Sequence, residues 1–278
     1  MININGNLYK NIDSNNINNL NFIINNYNFC EEIHFENNLL FFWENHFFRI
    51  MASLRRLRFT IPVYFKNNFL KGELIKTIKA NNLEKNCCDI KFYFFSEPNN
   101  NKIDYLIDLN ISESYINIKS KTEINCDIYN EEFIKSGLLS NLSITNKTLR
   151  RIAHIYSIEN GFNTCIILNE KKNIVEGTIG NIYLIKENTI ITPNLSSGCE
   201  NTAIRSSFNK WVSENLKFEE IDINVYDLQK CDELFFLSSI RGYTSVKRYR
   251  KTIYKSNLGI KLFKKFYFIS LGKGYQEN

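Results

Sequence analysis

Apolar positions along this chain switch between a spacing of two and a spacing of three to four, which predicts strands and helices interleaved over its whole length. The run EEIHFENNLLFFW reads as a hairpin, because Asn37 and Asn38 tolerate the positive φ that a tight turn demands. A helix is expected over residues 44–57, where Phe47, Ile50, Met51, Leu54 and Leu57 share one face, with Pro62 closing the element. A second is expected over 68–80, with Phe69, Leu70, Leu74 and Ile78 turned inward. DIKFYFF (89–95) and DYLIDLNI (104–111) read as strands. Polar residues over about 113–130 look like a crossing to a second domain, with SYINIKS as a candidate for one more strand.

The second half follows the same logic. A helix is expected over 146–159, with Leu149, Ile152, Ala153 and Tyr156 on one face and Gly161 suited to the left-handed cap that ends it. Short strands are expected at TCIILN, NIVEG, NIYLIK and TIIT, turned by EKK and EN and stopped by Pro193. A helix over 201–212 places Ala203, Ile204, Phe208, Trp211 and Val212 inward, and ELFFLSS (233–239) reads as a buried strand. SNLGIKLFKKFYFISL predicts a last helix, packed through Leu258, Leu262, Phe263 and Phe266. Hairpins mixed with helices, without repeats, imply α+β layers.

Composition narrows the function classes. With 44% apolar and 23% charged residues, the 278-residue chain has the balance of a globular protein with a sizeable core. The net charge of +6 is mild, and its two basic runs, LRRLR (54–58) and RYRK (248–251), read as solvated faces and local ion pairs rather than as a nucleic-acid stripe. No opening segment has the order of a signal peptide and no apolar run reaches about 18 residues. The expectation is therefore a cytoplasmic protein with neither membrane nor nucleic-acid partners. The seven cysteines form no CxxC pair and no zinc spacing, so they are expected as reduced thiols, several in the core. His34, His46 and His154 are too dispersed to argue for a metal site.

Four stretches carry more. FFWENHFFRIMASLRRLRFTIP resembles the helix of class IV aminotransferases in which a His, an Arg three residues on and a small residue recur. NIVEGTIGNIYLIKENTIITP is similar to that family's Glu, Asn-aliphatic-aromatic and Thr-Pro stretch. SSGCENTAIR resembles its Gly-rich loop entering a helix, and DELFFLSS its Asp-Glu, apolar strand and polar loop. They occur in family order and at near-family spacing, over about residues 4–254. The family includes branched-chain and D-amino-acid aminotransferases and 4-amino-4-deoxychorismate lyase. The resemblance therefore implies the two-domain fold type IV (D-amino-acid aminotransferase-like) architecture, with domains over residues 1–120 and 121–278, a site in the cleft between them, and a homodimer.

The resemblance also implies roles for particular residues. A pyridoxal-phosphate site needs cations and backbone N–H groups for the phosphate, an acid for the pyridine nitrogen, and an amine that forms the Schiff base and moves protons. Arg49 falls on the phosphate-binding Arg and Glu176 on the pyridine acid. Gly198, Thr202 and Ala203 fall on the loop and helix start, and Ser238 and Ser239 on the polar loop, that meet the phosphate. Asn181 and Thr192 read as structural.

The lysine position departs from the pattern. The family lysine precedes a short run ending in Asn; the corresponding run here is SITN, which places Ser143 at that position, and a hydroxyl forms no imine. Thr202 replaces a Gly of the phosphate loop, and of the N-terminal Tyr-Gly-Asp-Gly and aromatic-Glu signature only Glu31 survives clearly. Lys147, four residues on and one turn away if the segment is helical, is the nearest substitute amine. The expected reading is a repurposed or degenerate site for a small anionic amino-acid or chorismate-like ligand, with pyridoxal phosphate absent or held without the usual aldimine. Two alternatives stand beside it: a working aminotransferase or lyase using Lys147, and a non-catalytic partner of an active paralogue.

Overall fold

The computed structural model describes residues 1–10, 29–96, 103–115, 124–144 and 147–272; the greater part of SYINIKS lies outside them. The chain divides into two compact units. One is Met1–Ser114 with Ser143–Asn146; the other is Tyr115–Leu142 with Lys147–Asn278.

In the first unit, β1 (Ile2–Ile4), β2 (Asn7–Tyr9), β3 (Phe29–Glu36), β4 (Leu39–Leu40), β5 (Cys88–Ser96) and β6 (Ile103–Ile111) form an antiparallel sheet in the order β2-β1-β6-β5-β3-β4. The β3–β4 turn is Asn37-Asn38, both at positive φ as expected. Helices α1 (Trp43–Arg56) and α2 (Asn67–Ala80) accompany the sheet. The face of α1 is buried through Trp43, His46, Ile50, Ser53 and Leu54, and that of α2 through Leu70, Leu74, Thr77 and Ile78. Helix α1 is closed before Pro62. Arg58 turns left-handed at φ +62°, donates its N–H to Arg55 O at 3.1 Å, and Phe59 N–H folds back to Leu54 O.

The second unit holds β7 (Ile124–Ile134), β8 (Thr164–Asn169), β9 (Asn173–Gly177), β10 (Asn181–Lys186), β11 (Thr189–Pro193), β12 (Phe218–Ile221), β13 (Ile223–Asn224), β14 (Glu233–Ser238), β15 (Gly242–Tyr249) and β16 (Thr252–Ile253). Among the described residues they form one sheet in the order β12-β11-β10-β14-β15-β7-β8-β9-β13, with β16 on β15. The pairings β15–β7, β7–β8 and β11–β12 are parallel. Helices α3 (Thr148–Glu159), α4 (Ala203–Asn215) and α5 (Leu258–Ser270) complete the unit.

Two expectations need correction here. The polar stretch read as a crossing contains most of β7: Ile124, Cys126 and Ile128 are buried, alternating with the more accessible Asn125 and Asp127. Polar residues on every second position are what a strand with one covered face requires. On α3, Ile152 is 46% exposed, and the covered face is completed by Ser157 beside Ala153. No helix among the described residues is long and apolar enough to cross a membrane.

Candidate functional site

Strand β3 carries three ionisable side chains that are almost fully buried: Glu31, His34 and Glu36. Burying a charge is costly unless it is paired, and each of these is. Glu31 is met by two side chains one turn apart on α1. His46 Nδ1 lies 2.6 Å from Glu31 Oε1, and Arg49 Nε donates to Oε1 at 3.1 Å and Oε2 at 2.9 Å. The i, i+3 spacing of His46 and Arg49 is what lets one carboxylate receive both. Arg49 Nη2 donates to Ser143 Oγ. Ser143 is itself stitched to β3: its carbonyl accepts the Cys30 N–H at 3.0 Å, and Ile144 bridges Phe29. In the first unit, then, a buried His46–Glu31–Arg49–Ser143 chain joins a strand, a helix and the 143–144 segment.

A second cluster lies in the other unit. Glu176, near the end of β9, is 4% exposed. Its Oε1 is paired with Arg150 Nε, from the first turns of α3, and its Oε2 accepts the Glu200 N–H at 2.9 Å. Lys147 Nζ pairs with Glu200 Oε2 at 3.5 Å. Burial opposes the charge on Arg150, but Glu176 and Glu200 overcome it and hold the guanidinium above its ordinary value. Arg150 Nη2 is buried and has no hydrogen-bond partner among the described residues.

The remaining expected residues are held by turns and caps. Gly198 has φ +100° and ends a 3-10 turn; a Cβ there would sit 3.2 Å from the Ser136 backbone. Thr202 is the N-cap of α4, its Oγ1 accepting the Arg205 N–H and donating to Asn181 Oδ1 at 2.6 Å. Ala203 opens the helix and is buried. Ser238 Oγ accepts the N–H groups of Ile240 and Arg241, and the Ser239 carbonyl accepts the Tyr115 hydroxyl. Asn181 and Thr192 brace β10: Asn181 Nδ2 donates to Glu200 O and Thr192 Oγ1 to Ile182 O. Within the units the structure thus brings together Arg49 with Ser143, and Thr202 with Asn181.

Lys147 and Ser143 do not share a helix. Helix α3 begins at Thr148, with Lys147 as its cap position, so Ser143 lies outside the helix. No sequence motif points to Arg150: its role depends on Glu176, 26 positions away, and no local pattern announces such a pair. His46 and Glu31 lay within the motifs, but only pairing of β3 with α1 shows that they meet. Among the described residues no group of three or more His, Cys, Asp or Glu side chains is placed to hold a metal.

Comparison with known proteins bears on this arrangement. A probable branched-chain-amino-acid aminotransferase of Thermotoga maritima is 30% identical over 113 residues, which span 38% of this chain and 39% of that relative. The branched-chain amino acid aminotransferase of Escherichia coli superposes with a TM-score of 0.83 at 16% identity, covering 99% of this chain and 96% of that one. A candidate 4-amino-4-deoxychorismate lyase from Legionella pneumophila gives 0.77 at 20% identity, covering 90% and 92%. These similarities carry the α+β, fold type IV architecture. The family profile described as amino-transferase class IV matches residues 28–249. The chain belongs to the class IV aminotransferase family.

Proposed function

We propose that this chain is a divergent class IV aminotransferase-like protein that does not anchor pyridoxal phosphate as a lysine imine, and that its site takes a small anionic ligand of amino-acid or chorismate-like type. The family generally uses pyridoxal phosphate, so the residues present must be tested against that group. When bound, it supplies an electron sink for carbanion chemistry. To do so it needs an acid free to meet its ring nitrogen, a cation for its phosphate and an amine for its aldehyde.

The residues do not fit that set. The observation that carries the reading is the Arg150–Glu176 pair. The carboxylate that the family resemblance assigns to the ring nitrogen has one oxygen on a guanidinium and the other on a backbone N–H. A protonated ring nitrogen brought there would face the positive charge of Arg150. The Nε of Arg49, the resemblance's phosphate cation, is committed to Glu31, and its Nη2 to Ser143. Ser143 offers a hydroxyl where an amine is needed. The Lys147 ammonium is paired with the Glu200 carboxylate at 3.5 Å.

The test is borohydride reduction of the purified protein with added pyridoxal phosphate, followed by intact and peptide mass spectrometry. No lysine-linked adduct and no imine absorbance band are expected. A stoichiometric adduct would overturn the reading, and one mapped to Lys147 would identify it as the substitute amine.

A further inference from the structure

We infer that Arg150 is the anion anchor of this protein, recognising a carboxylate or phosphate oxygen through the end of its guanidinium. The inference deepens, and rests on, the reading that the site takes a small anion rather than a lysine-bound cofactor. Three observations carry it.

First, Arg150 is half used. Its Nε is spent on Glu176, whereas Nη2 is buried with no partner among the described residues. A buried donor left unpaired is destabilising, so such a group calls for an acceptor. The Nη1–Nη2 edge of a guanidinium presents parallel N–H groups, a geometry that matches a planar carboxylate or two phosphate oxygens. The side chain as a whole retains 20% exposure, although Nη2 itself is buried.

Second, the surroundings are built to hold the charge in place. Glu176 fixes Nε, and Glu176 and Glu200 together keep the guanidinium ionised despite its burial. A ligand anion thus meets a rigid donor and not a long side chain that must first be ordered, which lowers the entropic cost of binding.

Third, the same carboxylate ties Arg150 to the start of α4. The two oxygens of Glu176 hold Arg150 Nε and the Glu200 N–H, and residue 200 stands two positions before the N-cap Thr202. The same carboxylate thus fixes Arg150 against the segment that leads into a 13-residue helix. Arg205, the other buried arginine with an unpaired nitrogen, lacks this openness: its side chain is 3% exposed and its Nη2 is shared between Pro193 O and Glu220.

The experiment is calorimetric titration of the full chain with inorganic phosphate, with succinate and with uncharged succinamide, for the wild type, Arg150→Gln and Glu176→Gln, each checked for folding by circular dichroism. Arg150→Gln should weaken binding of the preferred anion about tenfold to a hundredfold, the worth of hydrogen bonds to a charged group. Glu176→Gln removes a competing negative charge while keeping a side-chain acceptor, so it should tighten binding severalfold. A pair that serves only to stabilise the fold predicts no such opposite signs. The inference is overturned if wild type binds neither anion, if succinamide binds as well as succinate, if Arg150→Gln binds like wild type, or if Glu176→Gln weakens binding. If Arg150→Gln fails to fold, the sign of the Glu176→Gln effect decides alone. Phosphate against succinate separates a phosphorylated from a carboxylated ligand. Borohydride trapping of a lysine adduct would sink the non-covalent reading without touching these titrations, so the two ideas fail separately.

Discussion

Glu31 stays buried in β3, at 2% exposure, because a histidine and an arginine from one helix face both converge on it. Its removal strands Arg49 in a poorly solvated place. Glu31→Gln should therefore cost about 3–5 kcal/mol of stability, the range for breaking one side of a buried pair, read from the shift in urea midpoint. His34 makes a separate prediction. Its Nδ1 lies 2.8 Å from Asp89 and its Nε2 3.3 Å from Glu36, so two acceptors ask for two N–H groups. Burial pushes the imidazole pKa down, but the bonds and charges of Asp89 and Glu36 prevail and hold it above its ordinary 6.5. Because the folded value is the higher one, this stabilisation is complete below about pH 6.5 and is lost as pH rises through the folded pKa. Burial, aided by the charges of Glu36 and Asp89, pushes the neighbouring Cys87 thiol up to about 11. Urea midpoints should fall as pH rises above about 6.5 in the wild type, and Asp89→Asn should flatten the slope; an unchanged slope would remove His34 as its source.

At the scale of elements, two motif residues prove to be fasteners. Glu233 opens β14 and accepts the N–H groups of Asn257, Leu258 and Gly259 at 3.2, 2.7 and 2.9 Å. Asn257, the N-cap position of α5, makes no side-chain cap, so a carboxylate from a distant strand satisfies the first turn instead. Glu233→Ala should destabilise the protein by about 1–3 kcal/mol, with the fastest-rising amide exchange in α5. Uniform exchange over both units would contradict that assignment. Gly180, in the turn between β9 and β10, has φ +154°, and an added Cβ would stand 2.3 Å from the Leu237 carbonyl oxygen. Gly180→Ala thus combines backbone strain with a clash against an immobile atom, at a cost of about 2–3 kcal/mol. A melting temperature within a degree of wild type would show that the turn can adapt. The Glu-to-Asn stretch that helped to identify the family owes this Gly to the close approach of β14, independently of any cofactor.

For the molecule as a whole, the seven cysteines give a simple test of the core. All are free thiols; six are buried and Cys87 is partly accessible with its pKa near 11. At neutral pH a disulfide-exchange reagent should find at most one slow site in the native protein and seven after unfolding, counted by absorbance. Two or more fast native sites would mean a looser core than the one described. The degree to which the rest was legible follows from distance along the chain. Helices α2, α4 and α5 and the hairpins β8–β9 and β10–β11 announced themselves, because apolar spacing and turn residues act within a few positions and the local backbone answers to them. Strand β7 was hidden by its polar alternate positions, and β15 by Lys247 and Arg248 near its end. By itself the sequence determined the α+β class, the family order of motifs and the presence of a hydroxyl at position 143, since these depend only on residue identity and short-range pattern. Tertiary structure alone decided which charges meet: Glu31 with Arg49 across 18 positions, Glu176 with Arg150 across 26, and Arg49 with Ser143 across 94. A buried ion pair is chosen by which side chains folding carries out of water together, and that choice is made by strand register and helix docking and leaves no local trace in the order of residues.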